Sequence, residues 1–297
     1  MRFFQFLCLG LILLACNENK IILPKSTGSA NEIIVVVSDH IWESYPSEAI
    51  KNIFSKDYPG LQQSEPFFNI IRIKPSDFSS IFKTHQNIIL ISENESEGKK
   101  YNLWARPQLI AKLNWNPKKN RIKFTETCKQ FSKQFYKNQL QKINKKYTND
   151  KQRITNKFLK EFYLPSEYSV VENKKNLFWA TYNPRNKDLI KQVLVFNLKL
   201  NEINFHKNLI VKVDSVLAQT LKGENHDNFV QIEKRFPLES YKNTYRGLWK
   251  MQNDFMGGPF LMKVKHQKEG KITVSIGVVF APGEAKKRFI VEMDALL

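Results

Sequence analysis

The chain has 297 residues, of which 42% are hydrophobic and 12% aromatic, and its formal net charge is +19. This composition excludes an intrinsically disordered chain, because there is enough apolar surface to form a core. Only three cysteines are present, which excludes the disulfide-rich scaffolds on which small secreted domains depend.

Residues 1–15 have the pattern of a bacterial lipoprotein signal peptide. The positive Met1-Arg2 start precedes an apolar run from Phe3 to Leu14, which is too short to span a bilayer. The run ends in Leu-Leu-Ala-Cys, which resembles a lipobox, so we expect Cys16 to carry the lipid of the mature protein. Residues 16–30 are predicted to form a flexible tether. The alternative is a plain secretory leader with a cysteine that is there by chance.

Residues 31–163 are predicted to form an N-terminal half in which helices cover a mixed sheet. Apolar runs rich in β-branched residues and flanked by turn signals predict strands at 31–37, 67–73, 87–91 and 101–113. Helices are expected from Pro46 to Phe54 and at 76–82. This alternation of strands and helices is typical of a layered α/β arrangement.

A long amphipathic helix is predicted next, joining the two halves. Its apolar stripe contains Phe124, Cys128, Phe131, Phe135, Ile143, Tyr147, Ile154 and Phe158. Residues 118–160 include fourteen Lys or Arg against two acids, Glu126 and Asp150, a local charge of +12 (14 − 2). This is either a solvated lysine face or a surface for anionic lipid head groups or an acidic envelope protein. Nucleic acid is not an expected partner of an exported chain.

Residues 164–297 are predicted to form a C-terminal half of similar construction. Strands are expected at 168–171, 177–182, 192–198, 260–265 and 271–280. Helices are expected at 208–221 and after Pro282-Gly283. The predicted fold class is therefore α+β, with two α/β-layered halves of mixed sheets joined by the long basic helix.

The segment 246–260 is the least ordinary part of the sequence. Paired glycines before a proline permit positive φ and a close approach of two backbones. An exposed Trp and Arg beside such a turn would form a ligand platform. The candidate binding residues are Arg246, Trp249, Asn253, Asp254, Gly257, Gly258 and Pro259. The alternative is a tight turn between two strands, with Trp249 and Phe255 in the core.

Three stretches together resemble the domain of unknown function 4837 family, envelope lipoproteins of the Bacteroidota lineage. They are the strand at 31–37, residues 59–66, and Gly247-Leu248-Trp249 with the segment 253–260. The resemblance covers nearly all of the expected mature chain and implies an envelope location, but no reaction. Gln62-Gln63-Ser64 departs from the expected Pro-Gln-Pro pattern. Residues 17–20 lack the acidic run that resembles a surface-export signal in this lineage, so we expect a periplasm-facing domain.

No catalytic residue, metal site or cofactor is predicted. There is no nucleophile elbow, zinc-protease motif or phosphate-binding loop, and the five histidines lack metal-ligand spacing. Adjacent residues cannot form a relay, which argues against Ser38-Asp39-His40, and Cys128 is expected to be buried. The predicted function is non-enzymatic binding or scaffolding. The alternative is a cell-wall or glycan hydrolase, for which Glu65 and Asp254 could supply paired carboxylates.

Overall fold

The computed structural model describes residues 22–93, 96–118, 121–147, 150–155, 162–200, 203–225, 227–267 and 270–297. The predicted signal peptide and Cys16 lie outside these residues. None of the helices in the described ranges is long and apolar enough to cross a membrane. Helices and sheets are both abundant, which confirms the α+β class. In chain order the helices are α1 (Asp39–Trp42), α2 (Tyr45–Phe54), α3 (Ser80–Lys83), α4 (Arg121–Lys146), α5 (Phe205–Thr220) and α6 (Lys287–Leu296).

The chain forms two compact units. One comprises the described residues within Met1–Asp39 and Ile71–Trp115, and the other comprises those within His40–Ile70 and Asn116–Leu297. They do not coincide with the predicted halves, 31–163 and 164–297. The reason is that α4 packs against both α2 and α6, which places these three helices in the second unit.

The first unit contains a mixed five-stranded sheet. Its strands are β1 (Glu32–Val36), β2 (Asn69–Ile73), β3 (Asn87–Ser92), β4 (Gly98–Tyr101) and β5 (Leu109–Asn114), in the order β2-β1-β3-β5-β4. The pairs β1–β3 and β3–β5 are parallel, whereas β4 runs antiparallel to β5. The predicted helix at 76–82 is replaced by a 3₁₀ turn at Pro75–Asp77 followed by the short α3.

The second unit contains a large antiparallel sheet in the order β11-β13-β14-β15-β10-β9-β8, with β12 also paired to β13. All of its strand pairs run antiparallel, so this sheet is not of the predicted mixed type. A separate hairpin joins β6 to β7. These strands are β6 (Lys151–Ile154), β7 (Phe162–Pro165), β8 (Ser169–Asn173), β9 (Leu177–Tyr182), β10 (Ile190–Lys199), β11 (Val230–Ile232), β12 (Glu239–Tyr241), β13 (Thr244–Met251), β14 (Gly257–His266) and β15 (Lys271–Phe280).

Both faces of the large sheet are covered. On one face, Leu194 and Phe196 of β10 belong to a buried cluster with Val213 of α5. On the other face, Val193 and Val195 cluster with residues of α6. Alternate residues of a strand point to opposite faces, which explains why β10 is apolar along most of its length.

The long helix is shorter than predicted. It ends at Lys146, and Ile154, which was assigned to its apolar stripe, is a buried residue of β6 paired with Phe162. Phe158 lies outside the described residues. Tyr147 and Ile154 are seven positions apart, a spacing that fits a helix. A pair so widely spaced does not determine the local period. The helix therefore lies within the second unit and does not join two halves.

Candidate functional site at the glycine–proline hairpin

The glycine–proline segment connects two strands of the large sheet. β13 and β14 are antiparallel, and Trp249 lies opposite Gly258 in their register. In the turn between them, Asn253 has a positive φ of 57°. The Asp254 carboxylate accepts a hydrogen bond of 3.2 Å from the Met256 amide. The tight turn between two strands, which was the alternative prediction, is therefore present. No range was predicted for the strand before it, β13, although its residues alternate between intermediate and full burial.

The paired glycines serve packing within the sheet. Trp249 is only 4% exposed, and its indole nitrogen donates a 3.1 Å hydrogen bond to the Val279 carbonyl oxygen. A Cβ atom on Gly258 would lie 2.1 Å from that same oxygen, so a larger residue cannot occupy the position without moving the backbone. Trp249 is thus a core residue. The interpretation of it as an exposed platform is wrong.

Arg246 is also withdrawn from solvent. Its guanidinium contacts Asp294 at 2.8 Å, and Asp294 in turn accepts hydrogen bonds from Tyr136 at 2.7 Å and from Lys263 at 2.9 Å. Burial alone would raise the pKa of Asp294. Lys263, Tyr136 and Arg246 outweigh it and hold the pKa below its ordinary value. Arg246 therefore anchors α6 to the sheet and is not available as part of a surface platform.

The exposed aromatic residue of the segment is Phe255. It is 95% exposed at the tip of the turn. The alternative prediction, which placed it in the core, is wrong for this residue. Two clefts share Phe255, Asp254 and Met256 in their walls. The hairpin tip thus forms a ridge between two concave surfaces.

The first of these, the amide cleft, has a volume of about 680 Å³ and is defined by Trp179, Asn183, Gln192, Asn225 and Asn228 together with the ridge. The Trp179 indole nitrogen donates a 2.7 Å hydrogen bond to Gln192, which fixes the ring orientation. Aromatic rings beside amide groups can contact both apolar and hydrogen-bonding parts of a ligand.

The second, the charged cleft, has a volume of about 630 Å³ and is defined by Gln62, Glu233, Arg235 and Lys250 together with the ridge and Gly257, Gly258 and Pro259. Glu233 forms ion pairs with Arg235 at 3.0 Å and Lys250 at 3.2 Å. The pKa of Glu233 is lowered to about 2, chiefly by hydrogen bonds from Arg235. This carboxyl is therefore ionised at neutral pH and cannot serve as a proton donor.

The carboxylates named for a hydrolase have local structural roles. Glu65 accepts hydrogen bonds from the backbone amides of Lys286 at 2.6 Å and Lys287 at 3.1 Å. It thereby caps the N-terminus of α6, whose first amides lack partners within the helix. Asp254 stabilises the hairpin turn and lies 3.5 Å from the Asn228 side-chain amide.

A family model described as a domain of unknown function (DUF4837) matches residues 146–297. The chain belongs to this family. The match begins at the last residue of α4 and is shorter than the near-complete coverage expected from the sequence. A second model, also a domain of unknown function (DUF8532), matches residues 26–148, so the motifs at 31–37 and 59–66 lie in that region. No curated protein matches the chain.

Two solved structures show weak similarity. The PsbP protein of the cyanobacterium Synechocystis sp. PCC 6803 has 12% identity and a TM-score of 0.30, covering 50% of this chain and 89% of its own. The human StarD13 (DLC2) lipid transfer and protein localization domain has 7% identity and a TM-score of 0.18, covering 44% and 89%. Neither similarity supports a functional assignment.

Asp39 and Cys128 were also considered for catalysis, but the contacts of the first and the burial of the second are structural. Asp39 pairs with Arg72 and with Lys74, the latter at 2.8 Å. Cys128 is fully buried, and burial raises the pKa of its thiol to about 12. His226 lies outside the described residues. Among the residues that are described, no group of three or more His, Cys, Asp or Glu side chains could hold a metal ion.

Proposed function

We propose that this protein is an envelope lipoprotein, tethered through Cys16 and facing the periplasm, whose DUF4837 region binds a partner at the β13–β14 hairpin. The leader sequence and its lipobox support the tether. The exposed Phe255 between two clefts supports the binding site and is the single observation that carries it.

Binding explains the hairpin better than chemistry does. An aromatic side chain at a protruding tip can insert into a pocket of a partner, and such residues contribute strongly to protein interfaces. The carboxylates around the tip already have partners: Glu233 is held by Arg235 and Lys250, and Asp254 by the turn. The aromatic tip, by contrast, is almost wholly solvent-exposed.

The tether is tested by replacing Cys16 with Ser in cells. We expect a precursor that keeps its leader and carries no lipid, because the thiol is the acceptor of the diacylglyceryl group. Mass spectrometry of the purified protein distinguishes the two forms. If the variant is processed and retained in membranes as before, the protein is not a lipoprotein of this kind.

The binding site is tested by photo-crosslinking in intact envelopes. A benzoyl-phenylalanine replaces Phe255 in one variant and Tyr241, an exposed aromatic residue of β12, in a matched control. We expect one discrete crosslinked species from position 255 that is absent from position 241. The same adducts from both positions, or none from 255, would show that the hairpin tip does not contact a partner.

A further inference from the structure

We infer that the solvent-facing side of α4 is a docking surface for an anionic phospholipid membrane. This surface is separate from the hairpin and does not depend on the proposed function of the clefts. It consists of Ile122, Lys129, Lys133 and Lys137, and we call it the α4 basic face.

The charge on this helix is segregated from its packing residues. Phe124, Cys128, Ser132 and Phe135 form the buried side of α4. A helix turns by roughly 100° per residue, so Lys133 and Lys137 project on the opposite side, where both are exposed. Glu126 is the only acidic residue of the helix, and it pairs with Lys129 at 2.8 Å.

The basic face is largely uncompensated. Lys133 and Lys137 form no ion pair with any residue in the described ranges. Neighbouring like charges at a spacing of four, as in Lys129, Lys133 and Lys137, destabilise a helix. Binding of Lys133 and Lys137 to an external anionic surface would break no ion pair among the described residues.

The N-terminal turn of α4 has an arrangement that helix stability does not explain. It contains Lys123, Arg121, whose guanidinium lies 5.2 Å from the ring centre of Tyr45 in α2, and no acidic residue, although the helix dipole favours negative charge at this end. Ile122, between these two basic residues, is 83% exposed. Positions 122, 129 and 133 fall on one side of the helix, so the exposed apolar side chain shares the face with the lysines.

This combination fits a lipid surface better than a solvated helix face. Lysine and arginine are attracted to phosphate head groups, while an exposed isoleucine can enter the boundary with the acyl chains. Attraction of this kind acts only within a Debye length, about 10 Å at 0.1 M salt. A lipid tether would keep the domain within reach of such short-ranged attraction. An acidic protein would complement the charge but gives no specific role to Ile122.

The test uses the unlipidated chain from Asn17 to Leu297, which contains every described residue, and vesicles of phosphatidylcholine with or without phosphatidylglycerol. We expect flotation with the phosphatidylglycerol vesicles at low salt and release as salt rises. The triple variant Lys129→Glu, Lys133→Glu and Lys137→Glu should bind at least roughly tenfold more weakly.

A matched variant separates the face from net charge alone. Lys187→Glu, Lys207→Glu and Lys212→Glu change the total charge equally at exposed positions outside α4, and this variant should bind within about threefold of the parent. Circular dichroism establishes that both variants are folded. Equal loss in the two variants, equal binding to vesicles without phosphatidylglycerol, or no vesicle binding would overturn the inference. In the last case an acidic protein becomes the partner to seek.

Discussion

The indole nitrogen of Trp249 in β13 donates a hydrogen bond of 3.1 Å to the carbonyl oxygen of Val279 in β15. The intervening strand, β14, contributes Gly258 at the position opposite Trp249. The glycine leaves room for the indole to reach across it. The glycine–proline motif is thus explained by packing. Its effect on the proposed binding site is indirect, because it fixes the strands from which Phe255 projects.

Replacing Gly258 with Ala should destabilise the protein. The added Cβ would lie 2.1 Å from the Val279 carbonyl oxygen, and overpacking of this kind costs about 1–3 kcal/mol. Urea unfolding measures the change. Gly98→Ala is the matched control, because a Cβ there has no heavy atom within 4 Å and its effect should stay within about 0.5 kcal/mol. Equal midpoints for Gly258→Ala and the parent would contradict the packing explanation.

Replacing Asp294 with Asn should destabilise the protein at neutral pH by about 3–5 kcal/mol, because Arg246 and Lys263 would lose a buried anionic partner. The effect should depend on pH. The folded-state pKa of Asp294 lies below its ordinary value, so its contribution is fully present above that value and is lost as pH falls through the folded pKa.

The free energy of unfolding of the parent and Asp294→Asn should therefore converge as pH falls below about 4. Urea titrations at a series of pH values measure this. Lys263→Met provides a comparison, because it removes one cation and leaves Arg246 and Tyr136 in contact with the carboxylate. A difference that stays constant down to low pH would show that the aspartate does not act through its charge.

Replacing Glu65 with Ala should destabilise α6. The carboxylate accepts hydrogen bonds from two backbone amides at the start of this helix, and loss of a cap costs about 0.5–2 kcal/mol. Glu284→Ala is the control, since it removes only an exposed pair with Arg288 and should cost less than about 0.5 kcal/mol. Chemical unfolding of both variants decides the point. A larger loss in Glu284→Ala would contradict the assigned cap.

The thiol of Cys128 should be unreactive in the folded protein. It is fully buried and its pKa is raised to about 12, so little reactive thiolate exists at pH 8. In the chain from Asn17 to Leu297 it is the only cysteine, which makes the measurement direct. A thiol-specific dye should react slowly in buffer and rapidly in urea. Fast labelling without denaturant would show that the site opens.

Local patterns in the sequence predicted most of the regular structure. The β-branched run at 31–37 became β1, the alternation at 271–280 became β15, and the apolar spacing after Pro46 became α2. These predictions held because side-chain periods of 2 and 3.6 residues reflect one buried face, whatever covers it. The same reasoning failed where few residues defined the period, as at Ile154.

The arrangement of the site was decided by tertiary structure. Arg246 meets Asp294 48 positions later, and Glu65 reaches the amide of Lys286 across 221 positions. No local period encodes such contacts, because they depend on how the sheet and its helices pack together. Side-chain type left two predictions open: an exposed Trp249, or Trp249 and Phe255 both in the core. The fold buries Trp249, whose ring has a glycine opposite it and a carbonyl to bind, and exposes Phe255, which lies beyond the last pair of the hairpin.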